Sequence, residues 1–244
     1  MKFWALIPSR YGSTRFPAKP LALIKGVPLL QRVVEQVQRA QGLEGIIVAT
    51  DHSEIQALCQ KIKVKVVMTD SELASGTDRI FQAALKSQEK IQDEDVVINI
   101  QGDEPLMPPQ WIENICSYFR EHPEAQILTL AHPLAQEELE NLNSVKVVLD
   151  SQDKALYFSR FPIPHSRVRE GNPICLKHIG IYAYRFKSLE KFCKTPVCDL
   201  EKAESLEQLR ALYVGLSIHV MKVKEAIQGV DVPEDIKKVE ALLG

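Results

Sequence analysis

Three cations follow the first apolar stretch of the chain and are suited to a highly negative ligand. Arg10, Arg15 and Lys19 lie in one short loop with no acidic residue between them, together with three hydroxyl side chains and a glycine. Arginine can direct two donors onto phosphate oxygens, and lysine supplies a mobile point charge. The loop therefore favours a nucleoside triphosphate as ligand, and a solvated basic surface turn is the alternative that these residues alone leave open.

A second apolar stretch ends in two carboxylates, in the segment Gln101-Gly102-Asp103-Glu104-Pro105. A carboxylate at this point could hold Mg²⁺, which prefers oxygen ligands and shares them with phosphate. The alternative is a polar strand end in which Asp103 caps a turn. A partner carboxylate is available in Asp231, although its position before Pro-Glu-Asp at 233–235 is also typical of a helix start, which spacing alone favours.

A turn followed by a helix start is indicated by Ser75-Gly76-Thr77-Asp78-Arg79. Either Ser75 or Thr77 could cap this helix, and capping is the simpler interpretation of the segment. Backbone N–H groups at such a helix end could also bind a base or a phosphate.

Strand-like and helix-like patterns alternate along the first half of the chain. Apolar runs predict strands, and apolar residues at helical spacing predict helices. The predicted strands are 3–7, 45–50, 63–68 and 95–101, and the predicted helices are 29–40, 55–61, 77–86 and 108–120. This rhythm predicts a three-layer α/β/α fold with a mostly parallel, Rossmann-like sheet. Ligands of such sheets bind beyond the carboxyl ends of the strands, where the polar segments above would converge.

The second half has a more mixed pattern. Strands are predicted at 144–150, 155–158 and 178–184, and amphipathic helices at 200–213 and 232–243. Consecutive strands predict a small mixed β extension, roughly residues 130–190, that forms a subdomain or a dimer arm. We expect a single domain over 1–244 that carries this extension, because 244 residues, 45% of them hydrophobic, can bury one sizeable core.

Composition excludes several classes of protein. A formal net charge of −2 gives no support to nucleic-acid binding, and no apolar run approaches the length of a membrane span. Five scattered cysteines without a C-x-x-C pair fit free thiols, and the amino terminus does not resemble a signal peptide, so we expect a cytoplasmic protein. The P-loop and G-x-G-x-x-G signatures are absent, which disfavours a P-loop NTPase and an NAD dehydrogenase.

At the level of whole motifs, the chain resembles the CMP-Kdo synthetases, the 3-deoxy-manno-octulosonate cytidylyltransferases of lipopolysaccharide biosynthesis. The matching motifs occur in family order and cover nearly the whole chain: IPSRYGSTRFPAKPL at 7–21, IVATDH at 47–52, SGTDR at 75–79, NIQGDEP at 99–105, VKVVLD at 145–150, ALYFSR at 155–160, KHIGIYAYR at 177–185, LEQLR at 206–210 and GVDVPED at 229–235. Ser9 stands where the family usually has alanine.

The resemblance implies a reaction in which CTP and Kdo give CMP-Kdo and diphosphate, assisted by Mg²⁺, in a homodimer. It also implies that 1–244 is a single nucleotidyltransferase domain, and that the extension at roughly 130–190 forms the sugar site or the dimer arm. It implies catalytic roles for Arg10, Lys19, Asp103 and Asp231, the last two as metal ligands. The residues that it implies around the nucleotide are Pro8, Ser9, Arg10, Arg15, Lys19, Ser75, Gly76, Arg79 and Gln101. Those that it implies around the sugar acid are Gln101, Arg160, His178, Tyr182, Glu207 and Gln208.

Two other functions stay open from the sequence. Family members that act on 8-amino-Kdo share most of these motifs, so a related nucleotidyltransferase with another acceptor is the main alternative. A non-catalytic nucleotide-binding protein would be expected to lack Asp103 or Asp231, and both are present. Without the resemblance, Arg160 would be interpreted as a surface ion-pair residue and His178 as a structural histidine.

Overall fold

The structure, a computed structural model, describes residues 1–12, 16–165, 167, 175–224 and 227–243. The chain divides into two compact units, Met1–His122 with Ile227–Gly244, and Pro123–Ala226. The prediction of one domain with an extension over roughly 130–190 stays a prediction, since a division into compact units does not decide it.

The first unit is built on four parallel strands. These are β1 (Phe3–Ser9), β4 (Gly45–Thr50), β5 (Lys65–Met68) and β6 (Val96–Asn99), with β1 between β4 and β6 and with β5 beside β4. The side chains of β1 and β6 are almost completely buried, for example Leu6 and Ile98, as expected for parallel strands that are covered on both faces, whereas β5 at the edge is partly exposed. A short antiparallel hairpin, β2 (Leu23–Ile24) and β3 (Val27–Pro28), follows the basic loop.

Five helices complete the first unit: α1 (Leu29–Arg39), α2 (Ser53–Lys61), α3 (Gly76–Lys86), α4 (Pro109–Glu121) and α8 (Asp235–Leu242). In α1, the five apolar residues at helical spacing from Leu29 to Val37 are all buried. Burying each such side chain contributes about 1.5–3 kcal/mol relative to leaving it in water. The apolar stripe therefore holds this helix in place, and the other helices follow the same pattern.

The second unit contains a mixed sheet. Strand β10 (Leu176–Arg185) pairs antiparallel with both β7 (Ile127–Pro133) and β8 (Lys146–Leu149). The outer strands are β9 (Ala155–Ser159), antiparallel to β8, and β11 (Ile218–Lys222), parallel to β7. Helices α5 (Phe186–Lys194), α6 (Asp199–Glu204) and α7 (Gln208–Tyr213) complete the unit.

The predicted α/β class, with a mostly parallel sheet and a mixed β extension, is confirmed. One predicted element is wrong: the single helix over 200–213 is two short helices, and Ser205 between them has a left-handed backbone with φ 51°. The physical reason is that Arg160 binds the carbonyl groups of Glu204 and Ser205 (2.8 and 3.2 Å), which ends α6 there. Strands β7 and β11 and helix α5 were not predicted.

None of the helices in the described residues is long and apolar enough to span a lipid bilayer.

Candidate active site

Four segments of the first unit enclose a cavity of about 290 Å³. They are the loop after β1, the start of α3, the loop after β6 and the segment before α8. The predicted nucleotide and metal residues that the structure describes all line this cavity: Pro8, Ser9, Arg10, Lys19, Ser75, Gly76, Arg79, Gln101, Asp103 and Asp231. The fold thus brings together side chains from four distant parts of the chain. Predicted Arg15 lies outside the described residues.

A short ion pair in the cavity joins the basic loop to the acidic strand end. The Nζ atom of Lys19 lies 2.6 Å from Oδ2 of Asp103 and donates to the carbonyl oxygen of Val230 at 2.9 Å. Ala18, just before the lysine, has a left-handed backbone (φ 54°, ψ 25°), and its N–H donates to the carbonyl of Tyr11. A left-handed alanine is unfavourable, and such strain is commonest at functional loops. This backbone geometry places the ammonium group at the carboxylate.

Arg10 has a different environment. Its side chain is exposed at the cavity, and within the described part of the chain it forms no hydrogen bond or ion pair. A guanidinium in this position can bind an anion without first breaking a contact in the protein. The two cations of the loop that the structure describes therefore differ, because Lys19 must be shared between Asp103 and any incoming phosphate.

Asp231 is not used to cap the last helix. The backbone N–H groups of Asp231 and Val232 donate to Oδ2 of Asp235 at 3.0 and 3.2 Å, so Asp235 stabilises this turn. The Asp231 carboxylate accepts no hydrogen bond from any described residue, and it faces the cavity. Spacing favoured Asp231 as the acid that stabilises the helix start, but the residue that does so is Asp235.

A third acidic side chain, Glu104, lies buried beside Asp103 and Asp231. Burial raises its pKa to about 8, and the negative charges of Asp103 and Asp231 raise it further in the same direction. Its Oε2 atom is buried without a hydrogen-bond partner among the described residues. Carboxylates that destabilise one another's ionised forms are the environment that a bound cation relieves.

The donor set fits Mg²⁺ rather than a metal held by protein alone. Within the described residues, no group of three or more His, Cys, Asp or Glu side chains is arranged to chelate a metal. Mg²⁺ is commonly bound by one or two carboxylates and completes its shell with substrate phosphates and water. Asp103 and Asp231, on one cavity with the cations of the basic loop, match that pattern.

Two glycines allow the walls of the cavity to approach Pro8. A Cβ atom on Gly102 would lie 3.0 Å from the Pro8 carbonyl oxygen and 3.1 Å from the Ser9 hydroxyl. A Cβ atom on Gly76 would lie 3.3 Å from the Pro8 ring. Any larger residue at Gly102 would push β1 and the loop after β6 apart, so the glycine before Asp103 is required by packing.

Arg79 is a structural member of the cavity wall as well as a lining residue. It is 2% exposed, and its guanidinium donates to Thr69 Oγ1 (2.6 Å) and to Asp51 Oδ2 (3.1 Å). Asp51 also accepts from the backbone N–H of Tyr11, the residue that closes the basic loop. Arg79 and Asp51 thereby connect α3 to the basic loop. Sequence reasoning missed Thr69, and no local pattern marks it.

The helix start at Ser75 is confirmed as a cap. The Ser75 hydroxyl accepts from the Asp78 N–H at 3.1 Å and donates to the Asp78 carboxylate at 2.8 Å. Ser9, by contrast, is 2% exposed, and its hydroxyl lacks a hydrogen-bond partner among the described residues. A buried hydroxyl without a partner is costly, so Ser9 retains a polar group that a nucleotide can satisfy.

The predicted sugar-acid residues, apart from Gln101, all lie in the second unit. His178 Nε2 lies 2.9 Å from Thr129 Oγ1, and its ring packs against the rings of Phe158 (5.2 Å) and Tyr182 (5.1 Å). His178 keeps part of its surface exposed, but enough of the ring is enclosed that burial lowers its pKa to about 3. Burial raises the pKa of Tyr182 well above its ordinary value, and the charge of Glu207 adds to this effect. Both side chains are therefore neutral hydrogen-bonding groups at ordinary pH.

Arg160 is held by backbone carbonyl groups rather than by an ion pair. Its Nε, Nη1 and Nη2 atoms donate to the carbonyls of Glu204 (2.8 Å), Leu142 (3.0 Å) and Ser205 (3.2 Å). A guanidinium has five N–H donors, so one remains on each terminal nitrogen. The surface ion pair that was the alternative for Arg160 is not what the structure shows, and the fixed guanidinium retains donors for a carboxylate.

Glu207 and Gln208 lie at the start of α7. Glu207 occupies the position before the helix, and Gln208 is its first residue and is 6% exposed. Gln208 is therefore enclosed by protein, whereas Glu207 is only half-buried. Neither role in sugar binding is decided by this placement, and both assignments stay predictions.

Known proteins resemble this chain in sequence over its whole length. The sequence model of a cytidylyltransferase family matches residues 4–222. This chain belongs to the cytidylyltransferase family. It is 52% identical, over all of its length and 98% of the relative, to a 3-deoxy-manno-octulosonate cytidylyltransferase of Bdellovibrio bacteriovorus. It is 46% identical, over all of its length and 99% of the relative, to an 8-amino-3,8-dideoxy-manno-octulosonate cytidylyltransferase of Shewanella baltica.

Solved structures of cytidylyltransferases are similar as well. A structure of CMP:2-keto-3-deoxy-manno-octonic acid synthetase complexed with CTP has a TM-score of 0.93 and 39% identity, covering all of this chain and 98% of that one. A cytidylyltransferase of Leptospira borgpetersenii has a TM-score of 0.66 over 99% of this chain and 86% of that one, but only 15% identity. The second likeness concerns the fold alone.

The low pKa of His178 predicts a pH-dependent stability. Its pKa is about 3 in the folded chain, against an ordinary value near 6.5, so between these values the unfolded chain binds a proton that the folded chain does not. Stability should therefore fall as the pH falls through this range. Asparagine does not titrate, so His178→Asn lacks this effect. The loss of unfolding free energy of His178→Asn relative to wild type should therefore be about 1–2 kcal/mol smaller at pH 5 than at pH 7. Urea unfolding at both pH values measures the difference.

The matched control is His165→Asn, at an exposed histidine of the same unit. It should show no such pH-dependent difference from wild type. A His178→Asn variant that is destabilised by the same amount at both pH values would contradict burial of the neutral imidazole.

Proposed function

We propose that this chain activates Kdo for lipopolysaccharide biosynthesis as a CMP-Kdo synthetase. The reaction converts CTP and 3-deoxy-D-manno-octulosonate into CMP-Kdo and diphosphate. The observation that carries the proposal is the cavity on which the cations of the basic loop meet the carboxylates of Asp103 and Asp231. The full-length relatives named for this activity, and the related structure that holds CTP, support the same nucleotide and acceptor.

The chemistry requires positioning and charge neutralisation more than covalent participation by the protein. The anomeric hydroxyl oxygen of Kdo forms a bond to the α-phosphorus of CTP, the bond from that phosphorus to the bridging oxygen breaks, and diphosphate leaves. The hydroxyl proton passes to solvent, so no side chain need act as a general base. Arg10 and Lys19 neutralise the triphosphate, and Arg15 is proposed to assist.

Mg²⁺ is the metal that we assign to Asp103 and Asp231. When bound, it would polarise the α-phosphate and lower the pKa of the attacking hydroxyl. Asp103 then has a second role in the chain itself, because its ion pair holds Lys19 beside the carboxylates until phosphate oxygens compete for the ammonium group. The base of CTP is assigned to the wall formed by Pro8, Ser9, Ser75, Gly76 and Arg79.

Arg160 is the side chain that we assign to the carboxylate of the sugar acid. Its guanidinium is fixed by three backbone carbonyls and keeps two N–H donors, the number that a bidentate carboxylate contact needs. His178, Tyr182, Glu207, Gln208 and Gln101 are assigned to the hydroxyl groups. A neutral His178 suits this role, since it adds hydrogen bonding without another charge.

A second acceptor, 8-amino-Kdo, stays open from the identities of the relatives. Relatives of Shewanella species that are named for 8-amino-3,8-dideoxy-manno-octulosonate are 46% identical to this chain, between the 52% and 43% of two relatives named for 3-deoxy-manno-octulosonate. Identity therefore does not separate the two acceptors cleanly. The acceptors differ at one substituent, so a single contact can decide between them.

The function is tested by the release of pyrophosphate in a substrate panel. Each of four nucleoside triphosphates is combined with Kdo, 8-amino-Kdo or sialic acid, with and without Mg²⁺. We expect turnover with CTP and Kdo, and a loss on the order of 100-fold or more without metal, because the metal neutralises the transferring phosphate. Preference for 8-amino-Kdo would establish the second acceptor. Absence of turnover with both octulosonates would contradict the proposal.

We also propose a homodimer in a reducing cytoplasm. Three large apolar side chains around the β8–β9 arm are unusually exposed, Leu142 (53%), Leu156 (61%) and Phe161 (69%). Such a group of exposed apolar residues is typical of a surface that a partner covers, and a second copy of this chain is the partner that the family resemblance implies. Cys59, Cys116, Cys175 and Cys198 are buried thiols, as expected in a reducing compartment.

Introducing charged side chains into this surface should dissociate the dimer into monomers. The double substitution Leu156→Glu and Phe161→Glu places like charges where apolar side chains would be covered, so the mass measured by light scattering should fall from that of a dimer to that of a monomer. Leu85→Glu, at an exposed leucine of α3 in the first unit, is the control and should stay dimeric. A double variant that remains a dimer at micromolar concentration would exclude this arm as the interface.

A further inference from the structure

An irregular pairing in the second unit brings several polar atoms to Thr129. Along β7 and β10, Leu130 lies opposite Ile179 but Thr129 lies opposite Tyr182, so β10 has two extra residues between these pairs. Such a bulge disrupts the ladder locally and redirects backbone groups. As a result, the Thr129 hydroxyl donates towards the carbonyls of Ile181 (2.7 Å) and Ile179 (3.2 Å).

The hydroxyl of Thr129 has only one proton, so it can donate to only one of its three polar neighbours, the carbonyls of Ile179 and Ile181 and the ring of His178. The two carbonyl oxygens are acceptors only, so the proton must point to one of them, and Ile181 at 2.7 Å is the nearer. His178 Nε2, at 2.9 Å from the same oxygen, must then donate its own N–H. If the Thr129 hydroxyl donated its hydrogen bond to Nε2 instead, both carbonyl oxygens would face lone pairs of the hydroxyl oxygen, which is repulsive.

We propose that Thr129 is a positioning residue that fixes His178 as the Nε2–H tautomer, so that Nδ1 is the atom presented to ligand as a hydrogen-bond acceptor. The ligand group is then a donor, a hydroxyl of the sugar acid. This identification of the ligand rests on the proposed function, whereas the tautomer rests on the geometry of the chain alone.

Burial and neighbouring groups support this role. Thr129 is 1% exposed, so it can affect a ligand only through another side chain. No described residue forms a hydrogen bond with Nδ1 of His178, and the rings of Phe158 and Tyr182 restrict the orientation of the imidazole. The low pKa of His178 keeps the ring neutral, which leaves the Nδ1 lone pair available.

The tautomer can be measured directly in the whole protein without substrate. Nitrogen-15 NMR distinguishes protonated from unprotonated imidazole nitrogens, and a His178→Asn sample identifies the resonances among the six histidines. We expect protonated Nε2 and unprotonated Nδ1 in the wild type. An Nδ1–H tautomer or an imidazolium ring at neutral pH would overturn the proposal. This result comes from the wild-type protein and does not require any variant of Thr129.

Two substitutions of Thr129 separate positioning from packing. Thr129→Val keeps the shape and removes the hydroxyl, so the Nε2–H tautomer should lose its preference and the KM for Kdo should rise about tenfold, the value of one hydrogen bond. The KM for CTP should stay within about twofold. Thr129→Ser keeps the hydroxyl and should restore both the tautomer and the KM for Kdo.

The outcomes of these measurements separate the positioning role of Thr129 from the proposed function of the protein. A wild-type protein with the expected tautomer but no turnover of Kdo would contradict the proposed function and leave the tautomer assignment intact. A Thr129→Val protein that retains the wild-type tautomer and KM for Kdo would overturn the positioning role. Equal losses for CTP and Kdo with an unchanged tautomer would show that Thr129 contributes packing only.

Discussion

The ion pair between Lys19 and Asp103 is the contact on which the candidate active site depends. It joins the loop after β1 to the end of β6, and the same ammonium group holds the carbonyl of Val230, which fixes the segment that carries Asp231. Three acidic side chains meet at this point, and burial beside Asp103 and Asp231 raises the pKa of Glu104 to about 8, so Glu104 is mostly protonated at neutral pH. Lys19 alone offsets only part of the charge of the two aspartates, so the site is prepared for a cation that arrives with a triphosphate.

In the second unit, hydrogen bonds to the backbone control the functional side chains. Arg160 is fixed by carbonyl groups where α6 ends, and His178 is fixed through Thr129 by carbonyl groups at a bulge of β10. Backbone atoms cannot change with side-chain substitution, so the orientation of these groups follows from local irregularities of the fold. In both cases, an interruption of regular secondary structure supplies the acceptors.

Much of the first unit could be predicted because its signals are local. The strand at Gly45–Thr50 agrees with its predicted bounds, and α1 follows the apolar spacing from Leu29 to Val37. The cap at Ser75 is also a local contact, within three residues.

Tertiary contacts decided the remaining features. Residues 200–213 have helical periodicity, but Arg160 competes for the carbonyls at 204 and 205. Spacing favoured a helix start at Asp231, and only the contacts of Asp235 show which acid stabilises that turn.

The central claim is that Asp103 serves the metal and restrains Lys19. Calorimetric titration of CTP into wild type and Asp103→Asn, each with and without Mg²⁺, tests both parts, and Asp93→Asn at an exposed acid is the control. Mg²⁺ should tighten CTP binding to the wild type by about tenfold or more, as a shared metal ligand would. Asp103→Asn should lose this gain and bind metal-free CTP more tightly than the wild type, because Lys19 is released and a negative charge is removed. A variant that gains as much from Mg²⁺ as the wild type, and binds metal-free CTP no better, would contradict the account.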